Sequence, residues 1–414
     1  MAAVISMLCL MILVAVATAY NDPEVTMDTI QIIRYWGYPD ETVFVNTEDG
    51  YAIELHRIPH GRNGRPPRRG EKRPVIFLQH GLECDSSNWV VNLPHQSAAF
   101  LFADAGFDVW MGNLRGNRYG KTHKYIPSDD KAFWDFSIDE HIKYDLPSMI
   151  DMVLYRTGQD HLYYVGHSQG TLTMFAKLSE DPSFSRKIKK FFALAPVVTV
   201  SSIKGIVRSL IDAPLLVDAL KVMPHGEFTL PYMVRKIAKK VCEDSIGRHM
   251  CSHAMFAIAG PDSSQLNRTR TPVYVAHTPS GTSLKNVLHW IQMVKSGRFG
   301  KYDYGYDENY KRYRTSDTLF YDISNIKVDM YLYWSDKDWL ADTTDIIEGI
   351  LPNGRRVERR KLNPQYLKES NRLDDFNHMD FIWGSRAADV IYKPIIETIN
   401  DDIKNSNRVS GRKW

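Results

Sequence analysis

Short apolar runs alternate with stretches of helical periodicity through the first half of the chain. Pro74-Val75-Ile76-Phe77-Leu78 reads as a strand buried on both faces, because consecutive apolar positions leave no polar side. A helix is predicted around Ala98 to Ala105, then a strand at Phe107-Asp108-Val109-Trp110-Met111. Ile138, Ile142, Leu146, Ile150, Val153 and Leu154 recur at helical spacing and lead into a strand at Tyr163-Tyr164-Val165. A helix from about Gly170 to Leu178 and a strand at Phe191-Phe192-Ala193-Leu194-Ala195 continue the alternation. This β-α order predicts a mostly parallel sheet covered by helices on both faces. Upstream, Val43-Phe44-Val45 and Ala52-Ile53-Glu54-Leu55 flank Glu48-Asp49-Gly50, the pattern of a hairpin with a glycine-containing turn. His60 to Arg73, rich in Gly, Pro and Arg, reads as a solvated connecting loop.

The alternation stops near Val197. From there to about Asn325 the chain carries helical stretches, Pro and Gly breaks and aromatic loops such as Tyr302 to Tyr306. Strand-like runs resume at Val328 to Tyr333 and near Val357, and an amphipathic helix from about Ala387 to Ile403 closes the pattern. The expected organisation is a segment 1–19, an α/β core in two parts (20–196 and 326–404), a mainly helical cap at 197–325 and a loose tail at 405–414.

Composition adds bounds. With 43% apolar and 24% charged residues in 414, the chain can bury a large core, which excludes disorder and a small disulfide-stapled scaffold. A net charge of +3 is too weak to imply a nucleic-acid partner. Met1 to Ala19 carries no charged side chain and ends in Ala17-Thr18-Ala19, the pattern of a cleaved secretory signal, short for a membrane span; no Lys or Arg precedes the apolar run, and the alternative is an uncleaved anchor. The expected destination is the extracellular space, with the lysosome as the alternative. Its removal takes Cys9 and leaves Cys84, Cys242 and Cys251. In an oxidising compartment Cys242 and Cys251 can close a short loop and leave Cys84 unpaired; the alternative is that all three stay reduced. A single glycosylation sequon, Asn267-Arg268-Thr269, agrees with secretion.

The candidate chemistry centres on Gly166-His167-Ser168-Gln169-Gly170, which lies between a predicted strand and a predicted helix. That is the context of a nucleophile elbow, where a strained turn exposes the serine hydroxyl above the sheet. A serine needs a base oriented by a carboxylate, and in this architecture the chain order is serine, acid, histidine. Asp336, Asp338 and Asp342 all follow a predicted strand end and compete on position. His378 lies in the loop before the closing helix, where a base can reach back; His167 and His80 read as structural. Leu78-Gln79-His80-Gly81-Leu82 follows the first core strand, so the amides of Leu82 and Gln169 are the candidate oxyanion donors.

Taken together these residues resemble the acid lipase family of α/β-hydrolases, which includes gastric, lysosomal and insect digestive lipases. The resemblance runs from about Pro23 to the closing helix. It is carried by Tyr35-Trp36-Gly37-Tyr38-Pro39, Thr47-Glu48-Asp49-Gly50-Tyr51, Gln79-His80-Gly81-Leu82 and Asp108-Val109-Trp110. It continues through Tyr144-Asp145-Leu146-Pro147, the elbow, Ala193-Leu194-Ala195-Pro196, His277 to Ser283 and His289-Trp290. The resemblance implies Ser168 as nucleophile, His378 as base and Asp338 as its orienting acid, selected by Lys337-Asp338-Trp339-Leu340-Ala341-Asp342. It also implies oxyanion donors at Leu82 and Gln169, and a cystine of Cys242 with Cys251. One departure is Glu83-Cys84, where relatives usually carry a second leucine and small residues; a carboxylate there could alter acyl-chain preference.

The resulting expectation is hydrolysis of lipid carboxylic esters, triacylglycerols or sterol esters, through an acyl-enzyme at a lipid–water interface, with no metal or organic cofactor. Leu215 to Tyr232 reads either as including a lid or as ordinary helical packing. The alternatives are a hydrolase of small soluble esters and a secreted lipid-binding protein without turnover. The presence of all of Ser168, Asp338 and His378 argues against the second.

Overall fold

The computed structural model describes residues 22–68, 70–221, 226–229, 241–242, 245–355 and 360–410. Segment 1–19, the run near Val357 and parts of the 215–232 stretch therefore lie outside the described residues.

The hairpin forms from β1 (Glu41–Asn46) and β2 (Tyr51–Ile58), paired antiparallel. The core then runs β3 (Val75–Gln79), α1 (Ala98–Asp104), β4 (Asp108–Gly112), a two-residue β5 (Thr122–His123), α2 (Leu146–Thr157), β6 (Leu162–His167), α3 (Gln169–Glu180) and β7 (Ile188–Leu194). Every residue of β3, β4 and β6 is buried, which is why these strands read as continuous or nearly continuous apolar runs. The sheet order is β1-β2-β4-β3-β6-β7-β10-β11, where β10 is Asp329–Trp334 and β11 is Leu367–Arg372. From β4 through β11 every neighbouring pair is parallel, while β2 joins β4 antiparallel. The chain thus has an α/β-hydrolase fold: a mostly parallel sheet with its βα loops gathered at the carboxyl ends of the strands.

Between β7 and β10 the described chain is largely helical, with helices at Gly205–Ile211, Pro214–Lys221, Ser245–Ala259, Thr271–His277, α4 (Leu284–Ser296) and Tyr306–Tyr313. It also holds a small antiparallel ribbon, β8 (Glu227–Phe228) with β9 (Thr282–Ser283), which the hydrophobic pattern did not predict. After β10 come α5 (Thr343–Gly349), β11 and the closing α6 (Lys393–Ser410).

Three elements differ from the expectations. The run Ile138 to Leu154 is not one regular helix: a wider π-type turn at His141–Asp145 separates Ile138–Glu140 from α2. The last strand, Leu367–Arg372, is polar and mostly exposed, so no apolar run marked it. The closing helix runs to Ser410, through most of the stretch expected to be a loose tail. Among the described residues no helix is long and apolar enough to cross a membrane.

Candidate active site

Ser168 stands between β6 and α3 with φ +52° and ψ −117°, a left-handed conformation that L-residues adopt only under constraint. The packing supplies the constraint. A Cβ on Gly166 would lie 2.7 Å from the Gly170 carbonyl, and one on Gly170 would lie 2.3 Å from the Gln79 carbonyl. Only glycines at both positions let β6, α3 and the end of β3 come this close. The Ser168 amide donates to Leu194 O at 3.1 Å, tying the turn to the end of β7.

His378, in the loop after β11, donates from Nδ1 to Asp338, with Oδ2 at 2.8 Å and Oδ1 at 3.0 Å. Both side chains are buried. Asp338 Oδ1 also accepts the amides of Leu340 and Ala341, each at 2.8 Å, so the carboxylate is fixed by its own loop. Its neighbours are engaged elsewhere. Asp336 accepts from Thr343 Oγ1 and pairs with Arg372, while Asp342 caps α5 and pairs with Lys204. Of the three carboxylates that position alone left open, Asp338 is the one that meets His378.

The loop after β3 packs directly on the elbow: a Cβ on Gly81 would sit 3.1 Å from Ser168 Cβ and 3.2 Å from His167 Nδ1. Among the described residues the Leu82 amide has no protein acceptor, and α3, which starts at Gln169, has no side-chain cap. His80 holds this loop: its Nδ1 donates to Gly81 O at 2.8 Å and its Nε2 accepts from Asn117 Nδ2 at 3.2 Å. Burial drives the His80 imidazole toward the neutral form.

Several residues that support this geometry were not singled out for it by sequence reasoning. His167 Nε2 donates to the carbonyl of His378 at 2.9 Å, and burial keeps its imidazole neutral well below the usual histidine range. Ala259, at the end of a helix, accepts the amides of both His378 (3.1 Å) and Trp339 (3.3 Å) and so joins the two loops. Gln169 Oε1 accepts from Trp290 Nε1 at 2.8 Å and from Asn286 Nδ2 at 3.2 Å, both on α4. The sequence marked His167 as structural, Gln169 as an oxyanion donor and Trp290 within the His289-Trp290 pattern, but not these contacts, nor Ala259 and Asn286.

Cys242 and Cys251 form a disulfide with Cα atoms 6.0 Å apart, and Cys84 is a buried free thiol. Asn267 lies partly exposed at the start of a short helical turn, where its Oδ1 accepts from Thr269 Oγ1 at 2.7 Å.

Residues 74–385 match the family model described as alpha/beta hydrolase fold, and residues 29–93 match a partial alpha/beta-hydrolase lipase region. The chain is 51% identical over 411 residues to Lipase lipl-1 of Caenorhabditis elegans, covering 97% of this chain and 99% of that one. It is 42% identical to gastric triacylglycerol lipase of Homo sapiens (93% and 94% covered). It is 41% identical to lysosomal acid lipase/cholesteryl ester hydrolase of Macaca fascicularis (92% and 92% covered). The chain belongs to the acid lipase family of α/β-hydrolases and is a carboxylic ester hydrolase.

Proposed function

We propose that this protein hydrolyses lipid esters, triacylglycerols or sterol esters, through an acyl-enzyme on Ser168. The observation that carries the reading is the bond from His378 Nδ1 to the loop-fixed carboxylate of Asp338, set beside the strained Ser168 turn. In this mechanism His378 Nε2 takes the Ser168 proton as Oγ attacks the ester carbonyl, and Asp338 stabilises the imidazolium. The amides of Leu82 and Gln169 hold the oxyanion, each donor worth roughly 3 kcal/mol in the transition state. His378 then protonates the leaving alcohol, and water activated by the same imidazole releases the fatty acid. These steps use side chains and backbone amides alone, with no metal or organic cofactor.

The segment 197–325 acts in this reading as a cap whose outer surface meets the lipid–water interface. Ile206, Leu210, Leu215, Ile246 and Met250 support it: all are exposed apolar side chains on its helices, Leu215 at 88%. A lid within 215–232 belongs to the same proposal, as do secretion or lysosomal delivery after removal of residues 1–19 and a glycan on Asn267. The relatives named gastric triacylglycerol lipase and lysosomal acid lipase/cholesteryl ester hydrolase favour these substrates.

The test is fatty-acid release from emulsified long-chain triacylglycerol and cholesteryl oleate by the wild type and Ser168→Ala. Release by the wild type alone supports the reading. Turnover confined to short soluble esters would favour a small-ester hydrolase, and binding of lipid without turnover would favour a carrier.

A further inference from the structure

The loop that supplies Leu82 also carries a carboxyl that the reaction does not use. Glu83 follows Leu82 directly, has φ +57°, and accepts the Ser280 amide on its carbonyl oxygen at 2.6 Å. Its backbone is therefore held between the elbow on one side and the loop around Ser280 on the other. Among the described residues its Oε1 has no hydrogen-bond partner, and it is shielded from solvent. Glu83 is part-buried, and ionisation would leave this shielded oxygen without a compensating donor, which favours the protonated form. Burial pushes the group up to about 8.

The groups around it offer no counter-charge. Within the loop, burial pushes the Cys84 thiol up to about 12, so it stays neutral. Asp85 is buried and held below the usual carboxylate range, although burial opposes it, by nearby Arg118 and by hydrogen bonds from Ser280 Oγ and the Ser87 amide. Arg118 is engaged elsewhere: its Nε lies 4.0 Å from Asp85 Oδ2 and its Nη2 donates to Ala276 O at 3.1 Å. His80 and His167 are held toward neutrality by burial, His277 acts on Asp85, and His378 is bonded to Asp338.

We propose that Glu83 is a positioning residue for the oxyanion site: its neutral carboxyl leaves the Leu82 amide free to stabilise developing negative charge, and its ionisation opposes that charge. The inference rests on the ester-hydrolase reading of Ser168, Leu82 and Gln169. Because Glu83 is the next residue in the chain, a carboxylate there stands within one side chain's reach of the Leu82 amide, close enough for a rate loss of about tenfold or more. Because the charge appears on the alkaline side, kcat is full while Glu83 is neutral and falls as it ionises. Ground-state binding of an uncharged ester is little affected, so KM stays nearly constant.

The experiment measures kcat and KM with 4-nitrophenyl butyrate, a soluble ester that avoids interface adsorption, from about pH 5 to about pH 10. It compares the wild type with Glu83→Gln and Glu83→Leu. The wild type is expected to lose about tenfold in kcat between about pH 7 and about pH 9, while both variants match it in acid and keep kcat on the alkaline side. If Glu83→Gln does not fold, Glu83→Leu carries the comparison. A variant profile with the same alkaline fall as wild type overturns the inference, as does an equal loss of kcat at every pH. Labelling of Ser168 by a phosphonate ester, run in parallel, separates the two claims. A wild type that neither reacts nor turns over defeats the ester-hydrolase reading itself, whereas turnover indifferent to residue 83 defeats only this inference.

Discussion

Trp290 donates its indole N–H to the side-chain carbonyl of Gln169 at 2.8 Å. The contact joins α4, in the segment between β7 and β10, to the residue that follows Ser168. Asn286, one turn earlier on α4, donates to the same oxygen at 3.2 Å. The first residue of α3 is thereby held by a helix more than a hundred positions away in sequence.

If this clamp orients the Gln169 amide, removing the indole N–H while keeping an aromatic ring lowers kcat and leaves KM nearly unchanged. Trp290→Phe is expected to cost about threefold to tenfold in kcat, the range of one buried hydrogen bond of roughly 1 kcal/mol. Steady-state kinetics on a soluble ester check it. A change in KM alone would assign Trp290 to substrate contact instead.

Gly260 links the helix ending at Ala259 to the loops of the site. It has φ +130°, and a Cβ there would lie 2.1 Å from the Lys337 carbonyl. Gly260→Ala must therefore displace the chain beside Asp338 or the Ala259 carbonyl that accepts the His378 amide. The expected result is a loss of kcat of at least about tenfold, with a far smaller loss of protein recovered in folded form. Normal turnover by a folded Gly260→Ala would show that the two loops hold their geometry without this close approach.

The pH dependence of stability has a defined sign at Asp380, whose carboxyl burial raises from 3.8 to about 7. Between those values the folded state binds more protons than the unfolded chain, so this group favours folding most in acid. That contribution is lost as pH rises from about 4 to about 7. Between about pH 5 and about pH 8 the wild type should lose more melting temperature than Asp380→Asn, which cannot ionise. Differential scanning calorimetry across that range decides it; parallel curves would contradict the assignment.

Arg115 accounts for two sequence patterns that no catalytic role explains. Its guanidinium bonds Asp145 through Nε at 2.7 Å and Asp49 through Nη1 at 2.6 Å, and lies 3.9 Å from the Tyr51 ring centre. Asp145 has no exposed side-chain surface, so Arg115→Met removes its counter-charge and leaves it the backbone amide of residue 115. The expected cost is about 3–5 kcal/mol, read by denaturant unfolding, with part of it recovered by adding Asp145→Asn. A loss below about 1 kcal/mol would mean that water satisfies Asp145 in the variant.

The central strands were legible because burial on both faces makes them apolar runs: Val75 to Leu78 and Tyr163 to Val165 fall inside β3 and β6. Leu367–Arg372 was not, since an exposed edge strand carries no hydrophobic signal. The turn at His141–Asp145 escaped because its apolar spacing is still helical; its last residue, Asp145, bonds Arg115. At the site, Gly166, Ser168 and Gly170 were readable because the elbow demands small residues at fixed offsets. Asp336, Asp338 and Asp342 were not separable by position; what separates them is which partners their loop brings near. The roles of His167, Ala259 and Asn286 depend on contacts across the fold, which no local pattern encodes.

Hydrolysis through an acyl-enzyme on Ser168 would leave a covalent trace on the chain. The most direct measurement is mass spectrometry of the full chain quenched in acid during turnover of a long-chain 4-nitrophenyl ester, followed by peptide mapping. The account predicts one acyl group per chain, carried by the peptide containing Ser168 and absent from Ser168→Ala. Turnover with no acylated peptide under conditions where release is slowed, or acylation at another residue, would contradict it.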